Sequence, residues 1–100
     1  MKLDKYRGII PAFYACYDRA GEVSGDGVRA LTRYFVDQGV KGVYVGGSSG
    51  ECIYQSVEDR KKTLEAVMDE AAGRLTVIAH VACNNTRDSR ILACLLYTSD

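Results

Sequence analysis

The stretch that decides the fold of this protein reads Gly42-Val43-Tyr44-Val45-Gly46-Gly47-Ser48-Ser49-Gly50-Glu51. Its first four residues form an apolar run without polar alternation, which is typical of a strand covered on both faces in a parallel sheet. The six residues that follow include three glycines and two serines, a composition that predicts a sharp turn directly after the strand. The stretch therefore predicts a buried strand whose carboxyl end leads into a donor-rich loop.

Two further apolar runs, at residues 8–14 and 75–81, flank this strand. The three runs begin at intervals of about 33 to 34 residues, which is the length of one strand–helix unit. Pro11 lies within the first run and cannot donate to a strand ladder, so we expect the first strand to be irregular near that residue. The repeat predicts parallel strands that alternate with helices.

Helix signals fill the intervals between the runs. A helix is predicted over residues 28–38 with Gly39 as its left-handed end, and a second from an N-cap at Ser56 to Gly73. A third helix begins at Thr86. Such units build a doubly wound sheet or a (β/α)8 barrel. A complete barrel needs roughly 250 residues. The predicted fold class is therefore α/β: the first two to three βα units of a (β/α)8 TIM barrel, incomplete.

Composition restricts the partners and the compartment. The chain has 100 residues and a net charge of +0, which argues against a nucleic-acid or polybasic membrane partner. No apolar run approaches the roughly 18 residues of a membrane span, and the charged first seven residues do not form a signal peptide. Four cysteines without a Cys-x-x-Cys pair predict reduced thiols: Cys16, Cys52, Cys83 and Cys94. We expect a cytoplasmic protein without a disulfide or a metal.

Candidate chemistry is concentrated in the loop at residues 46–51. Gly47 permits close backbone approach, and the hydroxyls of Ser48 and Ser49, with successive N–H groups, suit a carboxylate or a phosphate. The loop also follows the carboxyl end of a strand, where barrel enzymes place their sites. An ordinary strand–helix turn explains the same residues equally well. The pattern fits neither a Walker A loop nor a Gly-x-Gly-x-x-Gly fingerprint.

The sequence resembles the second-strand motif of the N-acetylneuraminate lyase and dihydrodipicolinate synthase superfamily. The residues that carry this resemblance are 42–51, Gln55-Ser56 and Glu58-Asp59-Arg60. The resemblance extends through residues 6–93. It implies a pyruvate-handling class I aldolase on a (β/α)8 barrel, with a lysine Schiff base and without a cofactor or a metal.

The resemblance assigns substrate binding to Gly47, Ser48 and Ser49. In the family this loop binds the carboxylate of pyruvate or another 2-oxo acid, so the implied partner is a small-molecule 2-oxo acid. The family's Schiff-base lysine and proton-shuttling tyrosine belong to later strands, so we expect no catalytic residue in this chain. The parent enzyme is expected to be a homotetramer. Three lysines precede a strand or lie on a helix, which removes them as candidates: Lys41, Lys61 and Lys62.

Several other reactive side chains have structural explanations. Cys16 is expected to be a packed small residue, because no histidine accompanies it as a base. His80 either touches substrate or makes a structural hydrogen bond, and the second role is favoured. Glu51 is expected to be a turn-stabilising acceptor rather than a general base. Three tyrosines line the barrel mouth or pack in the interior, with packing as the default: Tyr14, Tyr17 and Tyr44.

The resemblance leaves two enzymes and one fragment open as the function. Tyr44, Gln55-Ser56 and residues 79–81 favour N-acetylneuraminate lyase, which cleaves N-acetylneuraminate to N-acetylmannosamine and pyruvate. The alternative enzyme is 4-hydroxy-tetrahydrodipicolinate synthase, which condenses pyruvate with aspartate semialdehyde. The third possibility is a non-catalytic, truncated βα fragment. Residues 15–18 read Ala-Cys-Tyr-Asp where the family usually has Thr-Pro-Phe-Asp, and this departure leaves the substrate open.

The last seven residues suggest a domain division. Residues 94–100 depart from the helix pattern that begins at Thr86, and read back into codons they resemble a transposase adapter used for sequencing libraries. We therefore expect residues 1–93 to be the amino-terminal portion of a TIM-barrel aldolase domain and residues 94–100 to be a non-native read-through tail. A native helix followed by a loop is the alternative.

Overall fold

Helices alternate with short parallel strands throughout residues 3–98, the part of the chain that this computed structural model describes. The elements in chain order are α1 (Gly25–Gln38), β1 (Gly42–Val45), α2 (Val57–Ala71), β2 (Thr76–Ala79) and α3 (Thr86–Thr98). β1 and β2 pair in parallel, with Gly42 opposite Thr76 and Val45 opposite Ala79. A Cβ atom on Gly42 would overlap the carbonyl oxygen of Thr76, so the close pairing requires glycine. The predicted α/β class and strand spacing are confirmed.

The segment at residues 8–14 runs beside β1 without forming a continuous strand. One parallel bridge joins Ala12 to Tyr44. The backbone of Tyr44 also donates to Pro11 O at 3.0 Å and accepts from Phe13 N at 2.8 Å. The prediction of a full first strand over residues 8–14 is therefore wrong in extent, and the missing N–H of Pro11 interrupts the ladder. The expected irregularity at Pro11 is confirmed.

Side-chain caps set the starts of the helices. Ser24 Oγ accepts from Gly27 N at 3.0 Å, so α1 begins at Gly25 and not at residue 28 as predicted. Ser56 and Asp59 form a capping box at the start of α2, with bonds of 3.1 and 3.4 Å, which confirms the predicted cap.

Left-handed residues end the first two helices. Gly39 ends α1 with φ of 74°, as predicted. α2 ends one residue earlier than predicted, because Ala72 adopts φ of 48° and donates to Met68 O before Gly73 is reached. An alanine in this conformation carries a strain that glycine would not.

The third helix begins at Thr86 as predicted and extends to Thr98. The expectation that the helix pattern breaks at residue 94 is therefore wrong for the backbone. Residues 94–98 contain neither glycine nor proline, so no local signal ends the helix there. Ser99 and Asp100, the last residues of the expected tail, lie outside the described residues, as do Met1 and Lys2. The assignment of residues 94–100 as a read-through tail stays a prediction.

The core lies between the two strands and the helices α1 and α2. Its largest fully buried side chains are Phe13, Val28, Val43, Val67 and Thr32. All four β2 residues are only half-buried, because in the described chain β2 pairs with β1 alone. None of the helices within residues 3–98 is long and apolar enough to span a membrane. The packing fixes β1 and β2 with their carboxyl ends side by side, and this places the candidate loop.

Candidate anion-binding site

The loop that follows β1 turns sharply at two glycines. Gly46 adopts φ of 84°, a left-handed conformation that favours glycine. Gly47 is buried, and a Cβ atom there would lie 2.6 Å from Cε1 of Tyr44. A single 3-10 turn then spans Ser48–Gly50. The predicted sharp turn is confirmed, and its glycines are required for conformation at Gly46 and for close approach at Gly47.

The serine side chains of this turn are available to a ligand. Ser48 and Ser49 are exposed, and neither hydroxyl makes a hydrogen bond to another residue whose side chain the structure describes. The N–H groups of Gly50 and Glu51 close the turn by donating to Gly47 O and Ser48 O, both at 3.0 Å. The N–H groups of Ser48 and Ser49 stand in the first turn, where no partner exists within the helix. The structure thus brings the predicted residues together as a cluster of donors.

Two cavities adjoin this loop without including the two serines. The first lies beneath the loop, against Phe13, Gly50 and Arg60. The second is a cleft of about 390 Å³ beside a further 3-10 turn at Cys52–Tyr54 and the starts of α2 and α3, lined in part by Asn84. Among the described residues, the hydroxyls of Ser48 and Ser49 therefore face open solvent rather than an enclosed pocket.

Arg60 has a structural role in this region that was not predicted from the sequence. Its side chain is 6% exposed and reaches the carboxyl ends of both strands. Its guanidinium donates to His80 O and Ala82 O at 2.7 Å each, and to Gly46 O at 3.5 Å. It also lies 3.1 Å from Sγ of Cys83. Arg60 thereby ties the backbone before the candidate loop to the backbone that follows β2.

The charge of Arg60 has no carboxylate partner within the described residues, and its Nε makes no hydrogen bond. A buried cation balanced only by carbonyl dipoles adds a positive contribution to the potential at these strand ends. The sequence did contain a signal, because Arg60 lies four and seven residues before the core positions Leu64 and Val67. An arginine on the apolar stripe of a helix indicates a buried polar role.

His80 and Tyr44 form part of the scaffold of this region. His80 N donates to Val45 O at 2.8 Å, and its ring lies 5.8 Å from the ring of Tyr44. Its Nδ1 is 3.4 Å from the Arg60 guanidinium. This hydrogen-bonded environment supports the structural role for His80, and Tyr44 packs against Gly47 as the default expectation stated.

The other candidate residues lie near the loop in different environments. Tyr14 and Tyr17 are 61% and 41% exposed, so the packing default is wrong for both. Glu51 adopts φ of 57° and accepts from the Tyr17 hydroxyl, which agrees with a turn-stabilising acceptor. Burial raises the pKa of the Cys16 thiol, so Cys16 is protonated at neutral pH, which agrees with a packing role.

The lysines with described side chains make their contacts with residues outside the donor loop. Lys62 donates to Val23 O at 2.7 Å, and Lys61 lies 3.8 Å from Glu58 on the surface of α2. Lys41 precedes β1 and packs near Gly8 at the opposite end of the strand. That none of these three lysines is the Schiff-base residue stays a prediction. The described residues also hold no cluster of ligands suited to a metal ion.

Parallel strands with a donor loop at their carboxyl end are the arrangement that the resemblance implied, and the comparison with known families agrees. Residues 5–97 match the dihydrodipicolinate synthetase family, and the chain belongs to that family.

Individual relatives narrow the likeness to one branch. The chain is 72% identical over 91 residues to an N-acetylneuraminate lyase of Mediterraneibacter gnavus, which covers 91% of this chain and 29% of that protein. It is 44% identical over 89 residues to N-acetylneuraminate lyase 2 of Escherichia coli O6:H1, covering 89% of this chain and 29% of that protein. The chain thus spans about three tenths of the length of these relatives.

Solved structures give the same result for the fold. The structure of a catalytic lysine mutant of Ruminococcus gnavus sialic acid aldolase matches with a TM-score of 0.97 and 67% identity, over 98% of this chain and 32% of that one. N-acetylneuraminate lyase from Mycoplasma synoviae matches with a TM-score of 0.94 and 32% identity, over 98% of this chain and 34% of that one. The described βα units therefore correspond to about one third of a TIM-barrel lyase, which confirms the predicted fold class.

Proposed function

We propose that this chain supplies the carboxylate-binding part of an N-acetylneuraminate lyase, which cleaves N-acetylneuraminate to N-acetylmannosamine and pyruvate through a lysine Schiff base. One observation carries the proposal: the exposed, unbonded hydroxyls of Ser48 and Ser49 stand at the carboxyl end of β1. The chain that presents them is 72% identical over 91 residues to a named lyase.

The physical argument rests on preorganised donors. Ser48 and Ser49 offer two hydroxyls and two N–H groups within one turn, and Gly47 holds that turn against Tyr44. The unbalanced positive charge of Arg60 favours an anion at the same strand ends. A carboxylate bound there fixes the adjacent ketone in one orientation, so that an amine on another strand can attack it without a further loss of rotational freedom.

The reacting groups are proposed to lie on other parts of the parent enzyme. The relative from Ruminococcus gnavus is described as having a catalytic lysine. In this chain Lys62 donates to Val23 O, Lys61 lies beside Glu58 on α2, and Lys41 precedes β1. The 100-residue chain is therefore expected to be inactive by itself. The detection of pyruvate trapped on that chain by borohydride would contradict this expectation.

The remaining proposals concern the parent enzyme as a whole. We propose a cytoplasmic homotetramer that acts on a small-molecule 2-oxo acid, without nucleic-acid or membrane partners. Its chemistry uses an imine of pyruvate and requires neither a cofactor nor a metal. Sedimentation of the parent enzyme at micromolar concentration tests the tetramer, and a monomer would contradict it.

The experiment that tests the function uses an intact lyase that carries this chain. In this chimera, the 91 matched residues of the Mediterraneibacter gnavus lyase are replaced by the corresponding residues of this chain. We expect the chimera to cleave N-acetylneuraminate. Ser48→Ala and Ser49→Ala should each raise KM about tenfold or more, because each removes a hydrogen bond to a charged group worth about 1.5–3 kcal/mol.

A control variant at a serine outside the loop separates an effect on substrate binding from an effect on stability. Ser24→Ala removes the cap of α1 and should lower stability by about 1 kcal/mol while leaving KM unchanged. An unchanged KM in both loop variants would overturn the assignment of the site. Condensation of pyruvate with aspartate semialdehyde by the chimera, without cleavage of N-acetylneuraminate, would favour the synthase alternative.

A further inference from the structure

The hydroxyl of Tyr17 makes a hydrogen bond at each end of the segment that follows the 3-10 turn at Ser48–Gly50, which we call the donor turn. It accepts a hydrogen bond from Gln55 Nε2 at 3.1 Å and donates one to Glu51 Oε1 at 3.4 Å. Glu51 directly follows the turn at Ser48–Gly50, and Gln55 directly precedes the N-cap of α2. A single side chain from an earlier part of the chain therefore spans residues 51–55.

Tyr17 acts from a rigid position. Its backbone forms an antiparallel bridge with Val23. The next residue, Asp18, closes a tight turn in which its carboxylate accepts from Ala20 N at 2.9 Å and from Glu22 N at 3.1 Å. Asp18 N also donates to Glu22 O at 2.8 Å. These bonds fix the backbone at Tyr17 and at the residue that follows it. The tyrosine ring is therefore held in one place and can keep the loop in one conformation.

The conformation of Glu51 makes this support necessary. Glu51 adopts φ of 57° and ψ of 38°, a region that residues other than glycine rarely occupy. Its N–H closes the donor turn at Ser48 O, and its carbonyl accepts from Tyr54 N at 2.9 Å. A rotation of Glu51 toward an ordinary conformation would break both bonds and would reorient Ser48 and Ser49.

We propose that Tyr17 is a positioning residue, which keeps Ser48 and Ser49 in the anion-binding arrangement through its hydrogen bonds to Glu51 and Gln55. The inference rests on the proposed function and adds a specific determinant of substrate affinity to it. Tyr17 acts on the loop and has no bond to Ser48 or Ser49. Its loss should therefore weaken the binding of the substrate and of the transition state equally.

The expected magnitude is modest because Tyr17 is 41% exposed and water competes for both bonds. Tyr17→Phe in the chimera should raise KM for N-acetylneuraminate about threefold to tenfold and leave kcat within twofold. Tyr34→Phe is the matched control. Tyr34 is an exposed tyrosine of α1 whose hydroxyl makes no hydrogen bond to a described side chain or backbone group, and the KM of this variant should be unchanged.

A double-variant cycle tests whether the effect passes through Glu51. In a Glu51→Ala background, Tyr17→Phe should change KM by less than twofold, because the bond through which Tyr17 reaches the residue next to Ser48–Gly50 is already absent and only its bond to Gln55 remains. An unchanged KM in Tyr17→Phe, or a fall in kcat alone, would overturn the inference even if thermal stability decreased. If Ser48→Ala raises KM and Tyr17→Phe does not, the inference fails and the proposed function stands. An inactive chimera would contradict both.

Discussion

Replacing Arg60 by methionine should destabilise the protein strongly, because one guanidinium holds three strand-end carbonyls. Its two short bonds, to His80 O and Ala82 O at 2.7 Å, contribute about 1.5–3 kcal/mol each as charge-assisted hydrogen bonds. Methionine fills a similar volume and avoids the cost of burying a charge, which offsets part of that loss. We expect the free energy of unfolding to fall by about 2–4 kcal/mol.

Urea denaturation of the chimera measures this loss. Arg19→Met is the matched control, because Arg19 is exposed and forms no ion pair within the described residues. Its effect should stay within about 0.5 kcal/mol. Arg60→Lys keeps the charge and loses the planar fork, so an intermediate loss is expected. If Arg60→Met lowers the free energy of unfolding by no more than Arg19→Met does, the claim that Arg60 ties the two strand ends together is wrong.

Three further predictions concern single positions of the scaffold. Gly47→Ala should raise KM in the chimera by more than a loss of stability explains, since the new Cβ displaces Tyr44 and moves the donor turn. An unchanged KM would refute the close-approach argument. Ala72→Gly should stabilise the chimera by about 0.5–1 kcal/mol in urea by relieving the left-handed strain, and a loss of stability would contradict that reading. Burial raises the pKa of Cys16 in the folded state above its ordinary value of 9.0, so the folded state binds more protons than the unfolded state at pH values between the unfolded and the folded pKa. Stability should therefore fall as pH rises through that range, and Cys16→Ala should reduce the slope; an identical slope would refute the assignment.

Local patterns predicted the elements whose signals lie within a few residues of each other. The strand at residues 42–45, the Ser56 capping box and the Gly39 helix end all depend on near neighbours, and each is confirmed. The same holds for the sharp turn after β1, which the glycine content predicted and which the structure places at Gly46 with a left-handed backbone.

The features that the sequence did not predict depend on distant partners. Irregularity at Pro11 was predicted, but the reduction of the first strand to a single bridge, Ala12 with Tyr44, was not. The position of Arg60 on the apolar stripe of α2 indicates burial, but its partners are three carbonyls from two separate parts of the backbone, which no local pattern predicts. The Tyr17 hydroxyl meets Glu51 across 34 positions of the chain, and no periodicity or motif encodes that contact.

The central claim is that the donor turn at Ser48–Gly50 binds the carboxylate of a 2-oxo acid. The most direct measurement is the pyruvate concentration at which borohydride traps half of the chimera as its reduced lysine adduct, followed by mass spectrometry. The account predicts that this concentration rises about tenfold or more in Ser48→Ala and Ser49→Ala and is unchanged in Ser24→Ala. Trapping at the same pyruvate concentration in all four proteins would contradict the claim.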